Sequence, residues 1–253
     1  MLNRYFLRFS YDGTAYAGWQ IKANAISIQE VLNLKLSLIL REEINTTGAG
    51  RTDTGVHAKE MYCHFDTSNT DIKSDRFIQK LNRILPADIA GIELIKVNHT
   101  AHARFDAISR TYEYFITCKK DPFLINKANY VRVKLDLQKM NAAAQILLKH
   151  KDFGSFSKSN TQVLTNNCEI HEAYWREEND MIIFKISANR FLRNMVRAIV
   201  GTLLDIGKNK IELNTFENII LSKNRSKAGE SVAACGLYLT HIDYNWNKLT
   251  SEI

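Results

Sequence analysis

Cysteine is sparse in this chain, at four of 253 residues. Cys63, Cys118, Cys168 and Cys235 are widely spaced and form no CxxC pair. That spacing excludes a dense disulfide framework and a cysteine-based zinc site, and it reads as reduced thiols in a cytoplasmic protein. No apolar run reaches the length of a signal-peptide core or a membrane span, so no membrane partner is expected. Proline occurs only twice, and there is no proline-rich or other low-complexity linker. The phosphate-binding pattern GxxxxGK[ST] is missing, no GxGxxG follows a strand, and no GxSxG elbow is present. His57 and His64 have no partner at zinc-ligand spacing, so a metal is not expected.

At 253 residues and 45% hydrophobic, the chain can form one large or two modest domains, each with its own core. The formal charge of +7 favours a polyanionic partner without proving one.

Tyr5 to Ser10 is aromatic-rich and reads as a strand ended by the turn signal Tyr11-Asp12-Gly13. Tyr16 and Trp19 follow in a loop, where packing against the protein's own core is weighed above stacking on a base. Ser27-Ile28-Gln29-Glu30 is a capping box, and the helix it starts runs to about Leu40. Met61 to Phe65 reads as a strand. A second helix begins at Ser74 and stops before Pro86, and Gly91 to Asn98 reads as another strand. Strand, helix, strand, helix, strand is an α/β or α+β module. A polar bend over His99 to Arg104 places a domain boundary there, giving 1–104 and 105–253.

In the second part, period-two alternation puts Arg110, Tyr112 and Tyr114 on one strand face. That face suits a base or a phosphate, and equally a half-buried strand with hydroxyls at its rim. Asp136 caps a helix running to about His150, and Ile170 to Ala188 forms a hairpin turned at Glu178-Asn179-Asp180. From about Phe191 to Ile206 a helical wheel sets Phe191, Leu192, Met195, Ile199 and Leu203 against Arg190, Asn194, Arg197 and Gly201. One face is core and the other basic; Gly201 removes bulk where a partner backbone approaches. A short helix near Thr215 to Leu221 leads into a basic loop, Lys223 to Lys227, and the chain closes on a strand from Gly236 to Asp243.

The stretch that carries chemistry is Gly48-Ala49-Gly50-Arg51-Thr52-Asp53-Thr54-Gly55-Val56-His57-Ala58. Three glycines frame one carboxylate two residues from an arginine. An arginine nearby keeps a carboxylate ionised, and an ionised carboxylate is a nucleophile or a base. The residues alone also allow a structural Asp–Arg clamp in a tight turn.

This loop resembles the catalytic loop of the TruA family of tRNA pseudouridine synthases. Five further blocks resemble the same family in the same order: Tyr11-Asp12-Gly13-Thr14 with Gly18-Trp19-Gln20; Ala103-Arg104-Phe105-Asp106-Ala107 with Arg110-Thr111-Tyr112; Asp152-Phe153 with Ser155-Phe156; Phe191 to Arg197 with Ile199-Val200-Gly201; and Gly236 to Leu239. The resemblance implies an α+β fold of two similar domains joined into one extended sheet, with a cleft between them. It implies isomerisation of uridine to pseudouridine at positions 38 to 40 of the tRNA anticodon stem-loop, by a homodimer without a cofactor. By the resemblance Asp53 is the essential carboxylate. Arg51 opens the RNA helix or fills the vacated stack, and Tyr112 stacks on the flipped uracil. Arg197 pairs with Asp53, Leu237 walls the pocket, and Arg110 contacts RNA. The competing reading is a tRNA-binding protein without turnover, its Asp53 loop purely structural. One segment departs from the family pattern: Gly229 to Gly236 lacks the usual proline, which predicts a more flexible turn there.

Overall fold

Strand β1 (Asn3–Tyr11) carries Phe6, Leu7 and Phe9 without exposed surface, because both of its faces are covered. The computed structural model describes residues 2–70, 72–158 and 164–251. After β1 come α1 (Ile28–Leu40), β2 (Thr47–Gly48), β3 (His57–Thr67), α2 (Ser74–Ile84) and β4 (Ile89–Val97). The chain continues through β5 (Ala107–Thr117), β6 (Asn129–Tyr130), α3 (Leu137–Leu147), β7 (Ile170–Glu178) and β8 (Met181–Ala188). It ends with α4 (Met195–Gly207), α5 (Leu213–Leu221), β9 (Leu237–Tyr244) and α6 (Trp246–Thr250). The architecture is mixed α+β. No helix among the described residues is long and apolar enough to cross a membrane.

By compactness the chain divides into one unit of Met1–Ile108 with Leu239–Ile253, and a second of Ser109–Tyr238. In the first unit β1 lies between β4 and β3, antiparallel to both, and β2 pairs with β3. Helix α1 forms as expected: Ser27 accepts from the Glu30 N–H at 3.3 Å, and Ile28, Leu32, Leu36 and Leu40 turn inward. Its end is fixed by Arg41 in the left-handed region. Helix α2 stops at Leu85, whose extended backbone suits the following Pro86. On the opposite side of β1, the Phe6 ring meets Tyr244 and Trp246 at 5.5 and 6.1 Å between centroids.

In the second unit β8 lies between β5 and β7, antiparallel to both, while β6 runs parallel to β5. The β7–β8 hairpin turns at Asn179 and Asp180, both at positive φ, the signature of the two-residue turn whose twist matches its strands.

The two units share a device that sequence repetition did not reveal. In the first, Asn82 of α2 donates to the Gly91 carbonyl at 2.9 Å and accepts the Gly91 N–H at 2.7 Å. In the second, Asn141 of α3 donates to the Trp175 carbonyl at 3.1 Å and accepts the Trp175 N–H at 2.8 Å. Each amide bonds the N–H and C=O of one residue on an outer strand, groups that would otherwise be open to pairing with another chain.

Candidate active site

Asp53 opens a four-residue turn. The Val56 N–H donates to the Asp53 carbonyl at 3.1 Å, and Gly55 sits at φ +77, a position only glycine takes without strain. Thr52, just before it, is buried. Its hydroxyl is 2.8 Å from the Tyr11 hydroxyl, and its carbonyl accepts the Trp19 N–H at 3.1 Å. Gly18, at φ +91, lets the two loops close: a Cβ there would lie 2.3 Å from the Thr52 carbonyl oxygen. The backbone on each side of the Asp53 side chain is therefore fixed from below by β1 and the Trp19 loop. Trp19 itself is buried against Phe9 at 5.8 Å, as is Tyr16, whose hydroxyl donates to Asp88 at 2.6 Å. Both belong to the core.

His57 follows the turn, buried, with Nδ1 3.1 Å from the Gly13 N and 2.9 Å from Asp12 Oδ1. Without a proton, Nδ1 accepts from Gly13. With one, it donates to Asp12. Asp12 also accepts the N–H and hydroxyl of Thr14 at 3.0 and 2.6 Å, closing the turn after β1.

Asp53 is half-buried and Arg51 exposed. Among the described residues no ion pair joins the two, so the structural clamp that the residues alone also allow is not formed. The physical reason is local: Thr52, between them, is anchored inward, and Arg51 is left in solvent. Gly50, one of the three framing glycines, has open space where a side chain would stand.

The other sequence-derived site residues lie in the second unit. Arg110 and Tyr112 are half-buried on β5. Arg110 donates to the Asn189 carbonyl at 2.9 Å, and the Tyr112 ring meets Phe191 edge-on at 5.2 Å. Tyr114, expected on the same rim, is instead fully buried, and its hydroxyl donates to the Ala233 carbonyl at 2.8 Å. Burial holds that phenol's pKa well above its ordinary value.

Helix α4 differs from its sequence reading in two ways. It begins at Met195 rather than Phe191, because Asn194 takes a left-handed conformation. Its second face is not an open basic stripe, since Gly201 is buried there too. A Cβ on Gly201 would lie 1.8 Å from the Glu230 carbonyl oxygen, so the backbone that approaches it is the chain's own. That backbone belongs to the segment without the family's proline, and it is tied along its length. Arg225 donates to the carbonyls of Ala228 and Gly229 at 3.3 and 3.1 Å and to the Ser231 hydroxyl at 3.0 Å. Asn194 donates to the same hydroxyl at 2.5 Å, and Thr202 accepts the Gly229 N–H at 2.9 Å. Arg197 Nε donates to the Val232 carbonyl at 2.8 Å while its own carbonyl accepts the Val232 N–H at 3.2 Å. A side-chain network thus replaces the rotational restriction that proline would have supplied. Leu237, buried, directly follows this strap.

Sequence reasoning missed Arg225, assigned only to a basic loop, and Asn194 as an anchor. Lone polar residues carry no pattern that reveals their partners. Among the described residues no group of His, Cys, Asp and Glu is arranged to hold a metal ion.

Comparison with known proteins adds independent findings. The family model described as tRNA pseudouridine synthase matches residues 8–106 and 143–245. A protein named tRNA pseudouridine synthase A from Bacteroides fragilis is 48% identical over 244 residues, 96% of this chain and 97% of that protein. The proteins of the same name from Parabacteroides distasonis and Clostridium acetobutylicum are 45% and 39% identical, over 96% and 94% of this chain and 96% and 98% of theirs.

Proposed function

Since the chain belongs to the TruA family of tRNA pseudouridine synthases, isomerases acting on tRNA, we propose that it converts uridines 38, 39 and 40 of the anticodon stem-loop, with Asp53 as the essential carboxylate. The observation that carries the reading is the construction of the Asp53 turn. Thr52, Gly55 and Gly18 fix the main chain on both sides of a carboxylate that is neither sealed in the core nor clamped by Arg51. Such rigidity is what a reacting group needs, because misplacement at the reaction centre is costly.

The reaction breaks the bond between uracil N1 and the ribose, turns the base, and forms a bond from C5 to the same ribose carbon; the C5 proton leaves and N1 takes up a proton. Atoms and electrons balance without a cofactor. A stacked base cannot present both atoms in turn, so the nucleotide must be flipped out. Asp53 acts on the nucleotide as a nucleophile or as a base on the sugar. Arg51, exposed on the same loop, is proposed to open the RNA helix or fill the vacated stack. Tyr112, held edge-on by Phe191, is proposed to stack on the uracil, with Arg197 as the carboxylate's cationic partner, Leu237 as an apolar wall and Arg110 as an RNA contact. The working form is proposed to be a homodimer in the cytoplasm.

Tritium release from tRNA labelled at uracil C5 tests this directly. Asp53→Asn is expected to bind tRNA and release no tritium. Release at the wild-type rate would remove Asp53 from the chemistry and leave the loop a structural element.

A further inference from the structure

The bend between β4 and β5 carries an aromatic ring that the reaction does not use. Phe105 is 76% exposed, and a single exposed phenylalanine needs no explanation by itself. Its support does. The N–H groups of five consecutive residues are all bonded within the protein: His102 to Asp106 Oδ2 at 2.7 Å, Ala103 to His64 Nδ1 at 3.1 Å, Arg104 and Phe105 to His102 Nδ1 at 3.1 and 3.3 Å, and Asp106 to the His102 carbonyl at 3.0 Å. The Ala101 carbonyl accepts from Arg4 at 2.9 Å and the Ala103 carbonyl from the Tyr244 hydroxyl at 2.5 Å. Exposed loop tips are ordinarily solvated and mobile. This one is tied at every amide.

The rings form a column. His64, buried on β3, meets His102 edge-on at 4.6 Å between centroids with planes 62° apart, and His102 meets Phe105 at 4.2 Å with planes 32° apart. The column rises from the core and ends at the exposed ring. His102 accepts two N–H groups at Nδ1, which fixes it as a neutral imidazole with its proton on Nε2. One cation meets the ring: the Arg104 guanidinium carbon lies over it, 5.7 Å from the Phe105 ring centre, while Lys248 pairs with the Asp106 carboxylate at 3.7 Å. A held aromatic plane with a guanidinium at its rim is the combination that receives an unpaired nucleotide: the base stacks on the plane and the phosphate meets the cation.

We propose that Phe105, steadied by His102 and flanked by Arg104, is a stacking platform for an unpaired base of the RNA substrate, a binding contact additional to the Asp53 loop. The proposal rests on the reading of tRNA as substrate. Because the ring is ordered before RNA arrives, little entropy is lost on binding, which is how a single contact yields useful affinity.

The test measures the affinity of full-length protein for an unmodified tRNA transcript by fluorescence anisotropy, with tritium release alongside. Phe105→Ala and Phe105→Leu are expected to raise Kd by roughly tenfold, while Phe105→Trp restores or improves it. Release at saturating tRNA stays at the wild-type rate in all three, so the loss falls on KM rather than kcat. Phe105→Leu keeps the apolar bulk, so its defect separates stacking from simple packing, and unchanged unfolding midpoints exclude loss of fold. Wild-type affinity in Phe105→Leu overturns the proposal. So does a change in sedimentation of Phe105→Ala without a change in tRNA affinity, which would assign the ring to a second copy of the chain. If wild-type protein binds tRNA without releasing tritium, the catalytic reading fails while the Kd comparison still decides the platform.

Discussion

Gly201→Ala is the sharpest test of how α4 and its strap are built. In an open helix the change stabilises, by about 1 kcal/mol of backbone propensity. Here the new methyl would stand 1.8 Å from the Glu230 carbonyl oxygen, and the obstacle is backbone rather than a movable side chain. Reaching ordinary contact requires the strap to retreat by roughly 1.6 Å. That retreat breaks or lengthens the Gly229 bond to Thr202 and both Val232 bonds to Arg197, at about 1 kcal/mol each. If the strap holds instead, overpacking costs about 1–3 kcal/mol. Net of the propensity gain, destabilisation of about 1–2 kcal/mol is expected, a fall of roughly 2–8 °C in the thermal midpoint, with catalytic loss because Arg197 loses its anchor. Differential scanning calorimetry reads the sign. A variant as stable as wild type, or more so, would refute the close approach and return α4 to a helix with an open polar face.

Three further outcomes are expected. Asn82→Ala and Asn141→Ala should each cost about 1–2 kcal/mol in urea unfolding, since each removes two bonds to an outer strand; a neutral result in either would show that water replaces the amide. Acid should weaken the fold above the range where carboxylates titrate: burial, with Arg4 and His102 nearby, pushes the His64 pKa down from 6.5 to about 4. The unfolded state therefore takes up a proton that the folded state refuses. Stability present above pH 6.5 declines toward pH 4 by up to roughly 3 kcal/mol, and His64→Gln, which keeps an acceptor for Ala103, should flatten that decline. Finally, tRNA affinity should fall as salt rises, on a log–log line whose slope counts the phosphates neutralised; a flat line would contradict binding by lysine and arginine contacts to the backbone.

Much of the fold was legible because it is written at short range. The Ser27 cap, the stop before Pro86, the Asp136 cap and the turn at Asn179-Asp180 are decided by neighbours within four residues. Asp53 stood out for its setting among small residues, and the ordered blocks around it carried the family resemblance. What the local pattern could not decide were distances between residues far apart in the chain. Spacing placed Arg51 beside Asp53, but a buried Thr52 bonded to Tyr11 separates their environments. A wheel left one face of α4 open, because it cannot see a strap arriving thirty residues later.

By itself, then, the sequence determined the order of the long elements and the family, since each depends on residue identity and local spacing. Tertiary structure alone decided that the segment from Leu239 returns to the first unit. It decided that Arg225 and Asn194 hold the strap a missing proline leaves untied, and that Phe105 stands on a column of rings. These depend on which backbone groups remain unbonded after the elements pack, and that is settled only when the whole chain is in place.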